Sequence, residues 1–240
     1  MSRRVARPGV REGYDRWSEE YDHTPNPLVA LDRQHTMALL QPRPSEWILD
    51  AGCGTGAHLR GMVAAGSRPV GLDLSRGMLR VARRSNPRVP LAQADLDSDL
   101  PVAPARFDAL LCSLVSEHLQ RLGGFLREGF EVLRRGGRLV LSAFHPELAA
   151  SGVEANFRQG DLEYRLGAER YTVYDYLNRI WEAGFEDLRW TEHEPGTELI
   201  ERLPVAVKYA GHPVLLTITA SRPMTDRGAQ PPIMSAKFRE

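Results

Sequence analysis

A chain of 240 residues with 42% hydrophobic and 26% charged side chains can close one full core, and its 31 basic and 31 acidic residues leave no net charge to hold a nucleic-acid backbone. Two cysteines supply neither a disulfide framework nor a zinc site, and no apolar run reaches the ~18 residues of a membrane span. The opening Met-Ser-Arg-Arg is followed by no apolar stretch, so the paired arginines do not read as an export signal, and a reducing cytoplasm is the expected compartment.

In chain order, residues 1–13 carry four arginines and no apolar periodicity, and they read as a mobile arm. Tyr14 to Asp22 reads as a helix whose Tyr14, Trp17 and Tyr21 share one face. That aromatic face serves equally as a core contact or as a lid. A second helix is expected from Leu28 to Leu40, broken by Pro42 and Pro44. Residues 1–45 thus form an arm and helical cap ahead of the main fold. Trp47-Ile48-Leu49 then reads as a buried strand ending in Asp50, followed by Gly52, Gly54 and Gly56 and by Leu59, Met62 and Val63 at helical spacing. Strand, glycine turn and helix let a ligand approach backbone N–H groups at a helix N-terminus. Val70-Gly71-Leu72-Asp73 is a second short strand with an acid at its tip, where a carboxylate accepts from both hydroxyls of a ribose. Ser75 is the better cap for the helix that follows, which leaves Asp73 free.

Further along, Met78 and Leu79 lie on the inner side of a helix from Ser75 to Arg84; Met78 fits a ligand contact or plain core packing. Val89 to Asp95 reads as a third strand, with Asp97 as an alternative register for its terminal acid. Phe107 to Ser113 is apolar on both faces, as a central parallel strand should be. Phe125 to Arg135 is an expected helix capped by Gly136-Gly137, and Arg138 to Phe144 the fifth strand. Thr172 caps a helix from Val173 to Ala183, and Phe185 to Thr191 and Val214 to Ala220 close the pattern as strands. Residues 145–170 and 193–212 are too long for simple connections, and they read as lid insertions in a core of residues 46–221; residues 222–240 read as a flexible tail.

The stretch Asp50-x-Gly52-x-Gly54-x-Gly56 with Asp73 resembles motif I and its acidic partner in class I S-adenosylmethionine (SAM) dependent methyltransferases, of the small-molecule, ubiquinone/menaquinone-biosynthesis-like branch. Gly52-x-Gly54-x-x-Ala57 also fits a dinucleotide fingerprint, but Asp50 would repel a pyrophosphate while tolerating the ammonium of SAM. The resemblance implies an α/β, doubly wound, Rossmann-like seven-stranded sheet in the order 3-2-1-4-5-7-6, its seventh strand antiparallel. It implies SAM as cofactor and S-adenosyl-L-homocysteine (SAH) as product. The residues at the matching positions are Asp50, Gly52, Gly54, Gly56, Asp73, Leu74, Met78, Asp95, Leu96 and Ser113, with Tyr14 and Tyr21 as a lid over the cofactor.

Methyl transfer mainly requires an aligned acceptor and excluded water, with a base only where the acceptor arrives protonated. His118 after the fourth strand and His145 after the fifth are the candidate bases, with His23 and His193 behind them. Ser113-Leu114-Val115-Ser116 stands where base-amine methylation would need Asn/Asp-Pro-Pro-Tyr/Phe, and no basic stripe with aromatics marks an RNA path. The expected partner is therefore a small-molecule acceptor attacked at oxygen or nitrogen, with no nucleic acid and no membrane; a homodimer is compatible with the sequence. A non-catalytic SAM or SAH binder, and a methyltransferase acting on protein or RNA, are the competing readings.

Overall fold

A computed structural model describes residues 4–225. Its strands are β1 (Arg4–Ala6), β2 (Trp47–Ala51), β3 (Arg68–Asp73), β4 (Leu91–Gln93), β5 (Phe107–Ser113), β6 (Leu133–Phe144), β7 (Asn156–Gln159), β8 (Leu162–Arg165), β9 (Glu186–His193) and β10 (Leu215–Ser221). Its helices are α1 (Val10–Trp17), α2 (Pro27–Leu40), α3 (Ala57–Ala64), α4 (Arg76–Ser85), α5 (Leu122–Val132), α6 (Pro146–Ala150), α7 (Val173–Glu182) and α8 (Thr197–Arg202).

Seven strands form one sheet in the order β4-β3-β2-β5-β6-β10-β9. β10 runs antiparallel to β6 and β9, whereas β4, β3, β2, β5 and β6 pair in parallel. Numbered among themselves, these strands follow 3-2-1-4-5-7-6, the doubly wound order expected from the sequence. The alternation of buried side chains explains the two helical layers. Leu49 and Leu110 face the side covered by Phe125 and Leu126 of α5 and Ile180 of α7. Their neighbours Ile48, Ala109 and Leu111 face Leu59 and Met62 of α3 and Leu40 of α2. A strand buried on both faces has no polar side to show, which is why these segments read as continuous apolar runs. The chain winds from β2 outward through β3 to β4 and then returns to β5, so β2 and β5 flank the crevice where the winding reverses.

Several boundaries differ from the sequence reading. Within the described residues the arm assigned to 1–13 holds regular structure: β1 pairs in parallel with β8, and α1 starts at Val10 rather than at Tyr14. A three-residue strand has no periodicity of its own and exists only because β8, some 160 residues away, offers an open edge. α5 ends at Val132 without a glycine cap, and β6 begins at once at Leu133, with Gly136 at φ 73° inside an irregular stretch of the ladder. The tail expected from residue 222 is anchored at its root, where Arg222 donates its N–H to Gly137 O at 2.7 Å; beyond Thr225 it lies outside the described residues.

The segment 145–170 folds into α6 and the β7–β8 hairpin, which with β1 makes a second sheet in the order β1-β8-β7. Phe157 of this hairpin stacks on Trp17 of α1 at 5.0 Å between ring centres, and Tyr164 stacks on Phe157 at 4.8 Å. Residues 197–209 pack through Leu199 and Ala206 against Leu31 of α2 and Leu215 of β10. Both long segments therefore brace the N-terminal helices from behind.

Candidate active site

The crevice at the carboxyl ends of β2 and β5 holds a cavity of about 270 Å³. Its inner wall is built by the glycine turn. Gly52 sits at φ 85° with Val115 so close that a Cβ would lie 2.2 Å from its Cγ2, whereas a Cβ on Gly54, at φ 52°, would meet nothing within 4 Å. Gly54 is thus the position where the turn opens onto ligand space. Its N–H donates to Asp73 Oδ2 at 2.8 Å, and Ser75 N–H donates to Asp73 Oδ1 at 2.8 Å. Burial pushes the Asp73 carboxyl up to about 6 despite these two donors, with the charge of Asp15 adding to the rise.

Leu74, Met78, Asp95 and Leu96 line the same wall. Asp97 lines it too, but its carboxylate already accepts from the N–H groups of Gln120 and Arg121, at 3.1 and 2.7 Å. Asp95 has one oxygen engaged, accepting from Asp97 N–H at 3.0 Å. Asp50 and Gly56 do not reach the cavity. Gly56 caps α3 beneath the turn, and Asp50 is buried with neither carboxylate oxygen bonded. Burial lifts Asp50 to about 7, with Asp73 and Asp32 raising it and His58 opposing. An orphaned buried carboxylate under a ligand turn costs free energy unless a cation or ordered water answers it. That is a physical fit to a cofactor bearing an ammonium and a sulfonium.

The outer wall comes from the N-terminal helices. Tyr14 and Tyr21 line it with Val10, Val29, Asp32 and Arg33. The Tyr14 hydroxyl and His118 Nε2 are hydrogen-bonded at 2.9 Å, and burial pushes His118 down to about 4, so its imidazole is neutral at pH 7. α1 is fastened to α4 by Asp15, whose Oδ1 accepts from Ser75 Oγ and from Gly77 N–H, both at 2.7 Å. Leu114, at the end of β5, holds φ at 53°, a conformation costing about 1–3 kcal/mol at a cavity-lining position.

His145 does not stand on the cavity wall, contrary to the expectation that it is a candidate base beside the ligand. It is 1% exposed, its Nδ1 accepts from Glu147 N–H at 3.4 Å as the cap of α6, and its Nε2 lies 3.6 Å from Glu192. Its place directly before Pro146 makes it a cap. The insertions at 145–170 and 193–212 likewise contribute no residue to the cavity, because they pack behind α1 and α2.

A buried polar cluster on the wall went unread in the sequence. His58 Nε2 is 2.8 Å from Asp32 Oδ2 and 3.2 Å from Ser113 Oγ, and Ser113 Oγ donates to the same Asp32 oxygen at 2.8 Å. Thr36 Oγ1, at 2.7 Å, and Ser142 Oγ donate to Asp32 Oδ1. One signal was available: Asp32 falls beside Leu31 on the apolar face of α2, where an unpaired acid would be costly.

The chain is similar to known proteins along most of its length. Residues 49–141 match the family described as Methyltransferase domain. A demethylmenaquinone methyltransferase of Tropheryma whipplei (strain Twist) is 34% identical over 189 residues, covering 74% of this chain and 77% of that one. A malonyl-[acyl-carrier protein] O-methyltransferase of Pseudescherichia vulneris is 31% identical over 179 residues, 72% of this chain and 67% of that one. Among solved structures, an S-adenosylmethionine dependent methyltransferase from Mesorhizobium loti superposes with a TM-score of 0.68 at 24% identity, over 79% of this chain and 96% of that one.

Proposed function

The chain belongs to the class I S-adenosylmethionine-dependent methyltransferases, and from that premise we propose that it moves the methyl group to an oxygen or nitrogen of a small-molecule acceptor seated between the glycine turn and the α1–α2 wall. The observation that carries this reading is the continuity of the cavity, in which cofactor-side residues (Gly54, Asp73, Asp95) share one space with Tyr14, Tyr21, Asp32, Arg33 and His58. When bound, SAM supplies a methyl carbon that takes the acceptor's lone pair as the carbon–sulfur bond breaks and its electron pair stays on sulfur, leaving SAH.

The chain's own groups do the holding. Asp73, kept in place by two backbone donors, accepts from the ribose hydroxyls. The Asp95 oxygen left unengaged accepts from the adenine amine, and Met78 packs beside the ring. Asp50 answers the ammonium from beneath the turn, through an ordered water because it does not reach the cavity. Tyr14 and Tyr21 present π-faces to the sulfonium and exclude water, with His118 holding the Tyr14 hydroxyl in place. A space of about 270 Å³ is below the ~300–1,000 Å³ usual for one ligand, so cofactor and acceptor together need a wider site than this one.

Calorimetry with SAH tests the cofactor half. Asp73→Ala removes charge-assisted hydrogen bonds worth roughly 1.5–3 kcal/mol each and should weaken binding at least tenfold in a folded protein. Unchanged affinity would refute the assignment. Methyl transfer from labelled SAM to a malonyl thioester, the oxygen acceptor in one relative's name, tests the acceptor half, and transfer instead to the ring carbon of reduced demethylmenaquinone, the acceptor in the other's, would overturn the restriction to oxygen or nitrogen.

A further inference from the structure

We propose that His58 is the general base of the transfer, held in its working tautomer by Asp32. This rests on the reading above, in that it concerns an acceptor arriving with its O–H or N–H proton. His58 occupies the first turn of α3 directly after the glycine loop and lines the cavity together with Asp32 and Ser113. Its Nε2–H donates to Asp32 Oδ2 at 2.8 Å, which fixes the ring proton on Nε2 and leaves the lone pair on Nδ1. Nδ1 has no hydrogen-bond partner among the described residues.

Asp32 is suited to this positioning role. It is 2% exposed, and four side chains satisfy it: His58, Ser113, Thr36 and Ser142. Burial alone would raise its carboxyl, but the hydrogen bond and charge of His58, with Ser142 and Thr36, hold it below the ordinary range. It is an anion ready to stabilise an imidazolium. The cluster is not a nucleophilic triad. In such a triad the imidazole stands between serine and carboxylate and uses a different nitrogen for each. Here Ser113 and His58 Nε2 converge on the same carboxylate oxygen, and Ser113 spends its proton there.

The basicity also fits. Burial depresses the His58 imidazole, but Asp32, through hydrogen bond and charge, and Asp50 outweigh it and Arg33, so the ring ends above its ordinary value. The charged groups facing it are Asp32 and Arg33 from α2 and Asp50 from β2. His118, by contrast, is pushed down to about 4 and spends Nε2 on Tyr14. A base works best with a pKa near the working pH, which favours His58 over His118. In the step itself, Nδ1 takes the proton of the acceptor's O–H or N–H. The electron pair of that bond stays on the acceptor atom, which bonds to the methyl carbon as sulfur departs with its pair. The imidazolium, neutralised by Asp32, returns its proton to water when the site opens.

The test uses the full chain and three readouts. His58→Gln should leave SAH affinity within about threefold by calorimetry, while kcat falls by roughly 10²–10⁴. In the SAH-bound wild type, an NMR titration of the His58 ring should show its midpoint above the ordinary value near 6.5. Asp32→Asn should bring that midpoint below it and move the acid limb of kcat/KM to lower pH. Should Asp32→Asn fail to fold, the wild-type titration and His58→Gln decide. The inference is overturned if His58→Gln retains turnover, if it loses SAH affinity in step with turnover, which would assign His58 to the cofactor, or if the His58 midpoint lies well below 6.5. A wild type that binds no SAH overturns the proposed function instead.

Discussion

The contact between α1 and α4 sets a measurable latch on the site. Asp15 reaches from α1 to the first turn of α4, where its Oδ1 accepts from Ser75 Oγ and Gly77 N–H at 2.7 Å each. Ser75 is itself the N-cap, accepting from Met78 N–H at 3.0 Å, and Asp73, two residues earlier, accepts from Ser75 N–H. The latch therefore closes on the loop that holds Asp73, the acid proposed above to bind the ribose. Each charge-assisted bond contributes roughly 1.5–3 kcal/mol, and an anion at a helix N-terminus adds about 0.3–1 kcal/mol. Because Asp15 is only partly buried, the lower end applies, and Asp15→Ala should cost α1 about 3 kcal/mol of docking free energy. At 1.4 kcal/mol per tenfold, the opening equilibrium of α1 should rise by roughly 10². Hydrogen exchange read on peptides covering residues 10–17 should accelerate by about that factor, while the strands β2 and β5 keep their protection. Asp15→Asn, which keeps an acceptor oxygen and loses the charge, should fall between. Unchanged exchange of α1 in Asp15→Ala would refute the latch, and so would an acceleration spread evenly over the whole chain.

Other outcomes follow from the same geometry. Asp50 has its folded pKa raised to about 7, against an unfolded value of about 3.9. Between those values the folded state binds the extra proton, so this group's contribution to stability is full below pH 4 and is lost as pH rises through 7. Without cofactor, Asp50→Asn should therefore raise Tm at pH 8 and leave it unchanged at pH 4, while weakening SAM binding. A Tm difference that is the same at both pH values would contradict this. His145→Ala should lower stability by about 1–3 kcal/mol through loss of a buried cap and leave kcat within about twofold. A large kcat loss at unchanged stability would restore His145 to the reaction.

The sheet and the glycine-turn wall of the cavity were legible in the sequence because their signals are local. Ile48, Leu49, Leu110 and Leu111 alternate between two helical layers and so are apolar without a break, and Gly54 and Asp73 sit where strand ends meet the ligand edge. Such positions are set by the backbone of one βα unit, and short-range pattern suffices to find them. The other half of the site was decided by contacts between distant segments. Asp32, His58 and Ser113 come from three separate elements, 26 and 55 positions apart by way of His58, and only docking of α2 over the sheet brings them together. β1 exists because β8 has an open edge, and the 145–170 insertion braces α1 because Phe157 finds Trp17. His145 and His118 occupy equivalent edges of neighbouring strands, yet Pro146 turns one into a helix cap and Tyr14 draws the other onto the cavity. A residue's type and its position along a strand fix which chemistry it can perform. Which neighbour supplies its hydrogen bond, and so whether it faces the ligand or the core, depends on packing between elements far apart in the chain.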